Sequence, residues 1–289
     1  MKQVLVFLGV ALFGCLVPIT AQQEPPSPQG WKLVWNDEFN RDGLPDTAKW
    51  SYEYGFERNQ EAQWYQPENV WQRNGLLVIE GRREHKPNPT YKPDGRYWGQ
   101  QRENIEYTSG SINTRGKFQF LFGRLEVRAR IPVSRGSWPA IWTLGSQMEW
   151  PSCGEIDLME YYFFEGAPHI WANAAWGSDS RYNAVWSTVR VPFKHFTERD
   201  PDWSLHFHIW RMDWDEQSIR LYLDDELLNE TPLSKTVNGL IGKHTNPFLK
   251  PQFILLNLAL GGPGRDIDDA ALPVRYEIDY VRVFERVGN

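Results

Sequence analysis

The chain has 289 residues, a net charge of −6 and 15 tryptophans. That acidic balance gives no footing for nucleic acid, whose phosphates call for clustered lysine and arginine. The length suffices for one large domain with a sizeable core, and two cysteines cannot supply a disulfide framework.

Lys2, the apolar run Val4 to Ile19 and then Thr20-Ala21-Gln22 form the pattern of a secretory signal peptide, residues 1–21, cleaved after Ala21. The run falls short of the ~20 apolar residues a membrane span needs, so no transmembrane span is expected. Leu12-Phe13-Gly14-Cys15 offers an alternative, a bacterial lipobox that would make Cys15 a lipidated N-terminus. Bulky Phe13 and apolar Leu16-Val17 weigh against it. Cleavage after Ala21 leaves Cys153 without a disulfide partner, and export without disulfides suits a periplasm or a bacterial cell surface. Cys153 reads as a small buried residue rather than a nucleophile.

Residues 22–30, polar and rich in proline, read as a flexible linker. From Trp31 to 287 we expect a single all-β domain. Short alternating runs broken by turn residues (Trp31–Phe39, Leu76–Arg82, Ser109–Asn113, Phe118–Phe120, Arg124–Ile131) predict a sandwich or barrel of antiparallel strands. Residues 84–104 interrupt this rhythm. Their prolines remove ladder donors, so they predict a long loop whose Tyr91, Tyr97 and Trp98 either wall a cleft or form a flap. Further strands are expected over Ile170–Trp176, Leu205–Trp214, Ser218–Leu223 and Pro251–Leu260, with a hairpin turn at Asp224-Asp225.

The run Gly154-Glu155-Ile156-Asp157-Leu158-Met159-Glu160-Tyr161 carries the chemistry. In a strand, Glu155 and Asp157 share one face and Ile156 the other. Strict alternation would send Glu160 to the wrong face. One extra residue at Leu158-Met159, a β-bulge, brings it back. Read blandly, the acids are the solvated face of a half-exposed strand. The nearby Trp138, Trp142 and Trp150 argue otherwise, since aromatic faces beside paired carboxylates suit a sugar. Two acids flanking a scissile bond are also the minimum for glycoside hydrolysis.

This segment resembles the active-site strand of glycoside hydrolase family 16 in its bulged E-x-D-x-x-E form, found in laminarinases and agarases. Trp35-Asn36-Asp37-Glu38-Phe39, Asn59-Gln60-Glu61-Ala62-Gln63-Trp64-Tyr65, Tyr107-Thr108-Ser109-Gly110 and Asp279-Tyr280-Val281-Arg282-Val283 are similar to family segments in the same order. The resemblance implies a β-jelly-roll sandwich of two antiparallel sheets with a concave cleft, acting on internal bonds with retention. It casts Glu155 as nucleophile, Glu160 as general acid/base and Asp157 as the residue tuning Glu155. Trp138 and Trp142 become candidate sugar platforms, Asn59 and Glu61 hydroxyl partners, and Trp171 and Trp176 further substrate contacts. No cofactor is required. Some members carry a structural calcium near the chain ends, for which Glu38 and Asp279 are the positions here. His169, His206 and His208 read as structural, for no metal or triad spacing surrounds them.

The chain departs from laminarinase-like members in two places. Their His-Gly-Thr strand is replaced by His169-Ile170-Trp171 through Trp176, and their late Gly-Gly-Asn-Trp-Pro-Gly loop by Gly261-Gly262-Pro263-Gly264-Arg265-Asp266. A β-1,3- or mixed-linkage glucan is the first substrate reading. An endo-β-1,4-galactosidase on galactans or mucin-type O-glycans is the second, and a non-catalytic glycan-binding protein the third. The partner is a polysaccharide in each case, and the protein is expected to be a monomer.

Overall fold

A computed structural model describes residues 25–261 and 266–288. The signal peptide, Cys15, residues 22–24 and Gly262-Pro263-Gly264-Arg265 of the late loop lie outside the described residues. In chain order the strands are β1 (Trp31–Asp37), β2 (Ser51–Tyr52), β3 (Gln63–Tyr65), β4 (Val70–Arg73), β5 (Leu76–Pro87) and β6 (Asn104–Ser109). They continue with β7 (Ser111–Asn113), β8 (Gly123–Arg130), β9 (Ser137–Gly145), β10 (Glu155–Phe164), β11 (Ala167–Gly177) and β12 (Ala184–Pro192). The last five are β13 (His208–Trp214), β14 (Ser218–Leu223), β15 (Glu226–Pro232), β16 (Gln252–Leu260) and β17 (Val274–Arg286).

Two sheets face each other as a β-jelly roll. One runs β12-β11-β10-β9-β16-β7-β2, and the other is built along β15-β14-β13-β8-β17-β5-β6-β3 with β1 on β17 and β4 on β5. All pairs are antiparallel except β3 with β6. Alternation explains which face is which. On β8 the side chains of Leu125, Val127 and Ala129 are buried in the core, while Arg124, Glu126 and Arg128 point outward. Ile156, Leu158 and Met159 of β10 meet the same core from the other sheet. Each buried Val, Leu, Ile or Met side chain among them contributes roughly 1.5–3 kcal/mol on leaving water. β16 is buried along its whole length, as its apolar run predicts for a central strand.

Several expectations need adjusting. Asp224 and Asp225 do form the hairpin turn, both at positive φ. Strand β5 runs on to Pro87 and pairs with β6 as far as Pro87 opposite Asn104, so the irregular loop begins only at Asn88. A terminal strand position tolerates proline because no ladder donor is needed there. The Phe118–Phe120 run forms only an isolated bridge, Phe120 to Gln252. Of the linker, residues 25–30 lie against the domain, where Ser27 Oγ accepts from Leu33 N and Gly30 O accepts from Val287 N.

The outward face of the second sheet is an array of arginine–carboxylate pairs, and Glu38 and Asp279 belong to it. Arg282 grips Glu38 with Nε at 2.9 Å and Nη2 at 2.7 Å, and Arg128 holds Asp279 at 2.6 Å. Calcium takes 6–8 oxygen ligands, and no group of three potential ligands converges among the described residues. In this arrangement Glu38 and Asp279 are each paired with a guanidinium. His208 is structural as expected: its ring stacks on Trp203 at 3.7 Å and Nε2 donates to Trp203 O at 2.8 Å.

Candidate active site

Strand β10 is bent as the spacing of its acids requires. Against β11, Asp157 sits opposite Asn173 and Glu160 opposite Trp171, so β10 spends three steps where β11 spends two. The surplus lies at Leu158-Met159, and both of those side chains turn into the core. Glu160 therefore returns to the face of Glu155 and Asp157. Gly154 launches the strand at φ +79°, and a Cβ there would come within 2.8 Å of Pro247.

All three carboxyls line one cavity of about 730 Å³ on the outer face of the β9–β12 sheet. Trp150 Nε1 donates to Glu155 Oε2 at 2.8 Å, and Trp138 Nε1 donates to Glu160 Oε1 at 2.8 Å. Asn173 Nδ2 sits between acids, 3.2 Å from Asp157 Oδ2 and 3.0 Å from Glu160 Oε2. Burial, then the neighbouring Glu160 charge, pushes Glu155 up to about 7. Burial and the charges of Glu155 and Glu160 raise Asp157 well above the usual carboxylate range. The hydrogen bond between the two raises Asp157 and lowers Glu155, which favours the ionised form of Glu155. Cys153 is buried, its thiol pushed up to about 12 by burial and then by Glu155, so it is no nucleophile.

The walls only partly match expectation. Trp138, Trp142, Asn59 and Glu61 line the cavity. Glu61 is 2% exposed and accepts from Asn59 Nδ2 (3.1 Å), Gln63 Nε2 (2.7 Å) and Tyr65 OH (3.3 Å), so the N-x-E-x-Q-x-Y segment closes on itself. Trp142 Nε1 donates to Asn257 Oδ1 at 2.7 Å, and the Arg58 guanidinium lies 5.1 Å over its ring. Trp176 is a correction. His169, Trp171, Asn173 and Ala175 alternate to the cleft face of β11, which sends Trp176 inward to the core. Trp171 does not reach the cavity either; it stacks at 4.6 Å behind Tyr162, which does.

Tyr91, Tyr97 and Trp98 of the 88–103 loop do not line the cavity. The loop buttresses the turn that carries Arg58, Asn59 and Glu61. Arg102, flanked by the rings of Phe56 and Trp98 at 4.7 Å each, donates to Glu61 O (2.6 Å) and Gln60 O (3.0 Å). Asn59 and Gln60 both hold positive φ, a conformation that needs such support. Sequence reasoning also missed Asn173, Tyr162, Tyr182 and Trp186. Of these only Asn173 carried a signal: it shares the parity of Trp171 on the strand beside the acids.

The profile of the Glycosyl hydrolases family 16 matches residues 58–282. The Beta-glucanase of Rhodothermus marinus is 34% identical over 299 residues, covering 97% of this chain and 94% of that protein. Among solved structures, one from work on endo-acting O-glycanases of the human gut microbiota that initiate mucin breakdown superposes with a TM-score of 0.79. It has 36% identity and covers 91% of this chain and 94% of that one. The laminarinase catalytic domain of Thermotoga maritima gives 0.73 at 32% identity, with 90% and 100% covered. An acid-bearing strand with this bulge, on this fold, with these similarities, places the chain in glycosyl hydrolases family 16 as an endo-acting glycoside hydrolase.

Proposed function

We propose that the protein is an exported, retaining endo-β-glycosidase that cleaves a β-1,3- or mixed-linkage glucan. The observation that carries the chemistry is the set of three carboxyls on one face of the bulged strand, with Asp157 donating to Glu155 and Glu160 held by separate donors. In the first step a Glu155 oxygen bonds to the anomeric carbon as the glycosidic C–O bond breaks, and Glu160 gives its proton to the leaving oxygen. In the second, Glu160 takes a proton from water as the water oxygen displaces Glu155. No cofactor enters either step. Export rests on the signal-peptide pattern of residues 1–21.

A second reading, endo-β-1,4-galactosidase action on mucin-type O-glycans, is favoured by the departure of β11 from the laminarinase pattern. There Tyr162, backed by Trp171, lines the cavity, and Asn173 bridges Asp157 and Glu160. The experiment that decides is a panel of laminarin, mixed-linkage glucan, agarose and mucin O-glycans, with products read by mass spectrometry. Oligosaccharides from a glucan support the first reading and those from mucin the second. Binding without cleavage on every substrate would leave only the glycan-binding alternative.

Arg102 makes a separate prediction. Arg102→Ala removes the clamp on residues 60–62, so the turn presenting Asn59 and Glu61 loosens. KM should rise about tenfold with kcat within about twofold, a loss of uniform binding. Arg102→Lys should recover only part of it, because an ammonium lacks the planar fork that reaches two carbonyls. Steady-state kinetics on the substrate found above checks the split; an equal fall in kcat would refute a positioning role.

A further inference from the structure

On the side of the acids away from Asn59 and Glu61, the cavity ends in aromatic rings that the mechanism above leaves unused. β12 is the edge strand of the cleft sheet. Its Ser187 hydroxyl accepts from Thr231 Oγ1 at 2.9 Å and its Val191 packs on the core, so alternation turns Trp186, Thr188 and Arg190 to the cleft face. The register sets Trp186 level with Glu155: Glu155 lies opposite Ala175, and Ala175 opposite Trp186. Two strand spacings, roughly 10 Å in all, separate the two backbones.

Trp186 and Tyr182 both line the cavity and are 45% and 58% exposed. An exposed tryptophan on a cleft wall costs burial that the core could have used. The wall is anchored to the reacting acids. Arg181 Nη2 reaches Glu149 Oε2 at 2.8 Å, Tyr182 OH donates to the same carboxylate, and the next residue, Trp150, holds Glu155.

We infer that Trp186, with Tyr182, is the stacking platform for the leaving part of the polysaccharide, the sugars released when the glycosidic bond breaks. The sugar under attack must be fixed to within a fraction of an ångström, which suits the polar network of Asn59, Glu61, Tyr65 and Asn257. The leaving chain needs grip without tight registry, which an exposed ring face supplies by stacking on C–H surfaces. The inference rests on the glycosidase reading above and extends it to the aglycone side.

The test compares wild type, Trp186→Ala and Trp186→Phe on two substrates with the same glycone. One is laminariheptaose; the other is a nitrophenyl β-laminaribioside, whose leaving group carries no sugar. If the panel returns O-glycans instead, the pair is a mucin O-glycan and a nitrophenyl β-galactoside. Trp186→Ala should lose about tenfold in kcat/KM on the long substrate, several times more than on the nitrophenyl one. Trp186→Phe should recover most of that loss, since a ring face remains. Equal losses on both substrates, or no loss on either, would overturn the inference. A wild type that cuts neither long substrate would instead sink the glycosidase reading, and this inference with it.

Discussion

Glu155→Gln should lower kcat by about 10⁴-fold on the polymeric substrate while leaving the fold intact. Glutamine keeps the volume, and its amide oxygen can still accept the Trp150 indole N–H that meets Oε2 at 2.8 Å. What it lacks is the negative charge that attacks the anomeric carbon. Azide added to Glu155→Gly, with an activated aryl glycoside, should restore turnover and yield a glycosyl azide of inverted configuration. The small anion then occupies the space of the lost carboxylate and displaces the leaving group directly. A retained product, or no rescue, would assign the nucleophile elsewhere. The same carboxyl predicts the acid limb of the pH profile. Because attack needs the ionised form and Glu155 is pushed up to about 7, kcat/KM should fall as pH drops through about 7. The sign for stability is opposite. A carboxyl whose folded pKa lies above its unfolded value favours the folded state at low pH and loses that contribution as pH rises through about 7. Glu155→Gln should therefore raise the Tm relative to wild type more at pH 8 than at pH 5.

The acids were legible in the sequence because strand periodicity is local. Three carboxylates at offsets of two and three cannot share a strand face without a bulge, and the chain builds that bulge at Leu158-Met159. The same rule, applied to β11, would have separated Trp171 from Trp176; grouping them by tryptophan content instead of parity put a core residue in the substrate list. Other features had no local signature. Asn173 contacts two acids only because the register of β10 on β11 brings it there. The Arg102 clamp joins residues about forty apart in sequence, through backbone carbonyls that no residue type announces. Trp186 looks like any strand aromatic until β12 is known to be the sheet edge. Glu38 and Asp279 drew attention by their place in the family pattern, but their arginine partners come from β17 and β8, beyond the reach of local reading.

Glu160→Gln should separate the two halves of the reaction. The residue accepts from Trp138 Nε1 and Asn173 Nδ2, so one donor holds each carboxyl oxygen in place on the cleft face. Glutamine preserves the shape but has no acidic proton to deliver. On a polysaccharide the leaving group is a sugar alkoxide, which cannot depart unprotonated at a useful rate, and kcat should fall about 10³–10⁴-fold. On a dinitrophenyl glycoside the leaving phenolate needs no proton. Formation of the glycosyl-enzyme should then stay fast, while its hydrolysis slows for want of a general base. The expected record is a burst of dinitrophenolate equal to the enzyme concentration, followed by slow turnover and an apparent KM well below that of wild type. Azide should speed the second step and give a product of retained configuration, the reverse of the outcome with Glu155→Gly. A burst-free trace with equal losses on both substrates would mean that Glu160 is not the proton donor. The partner acid would then have to be sought at Asp157, the other carboxyl on that face.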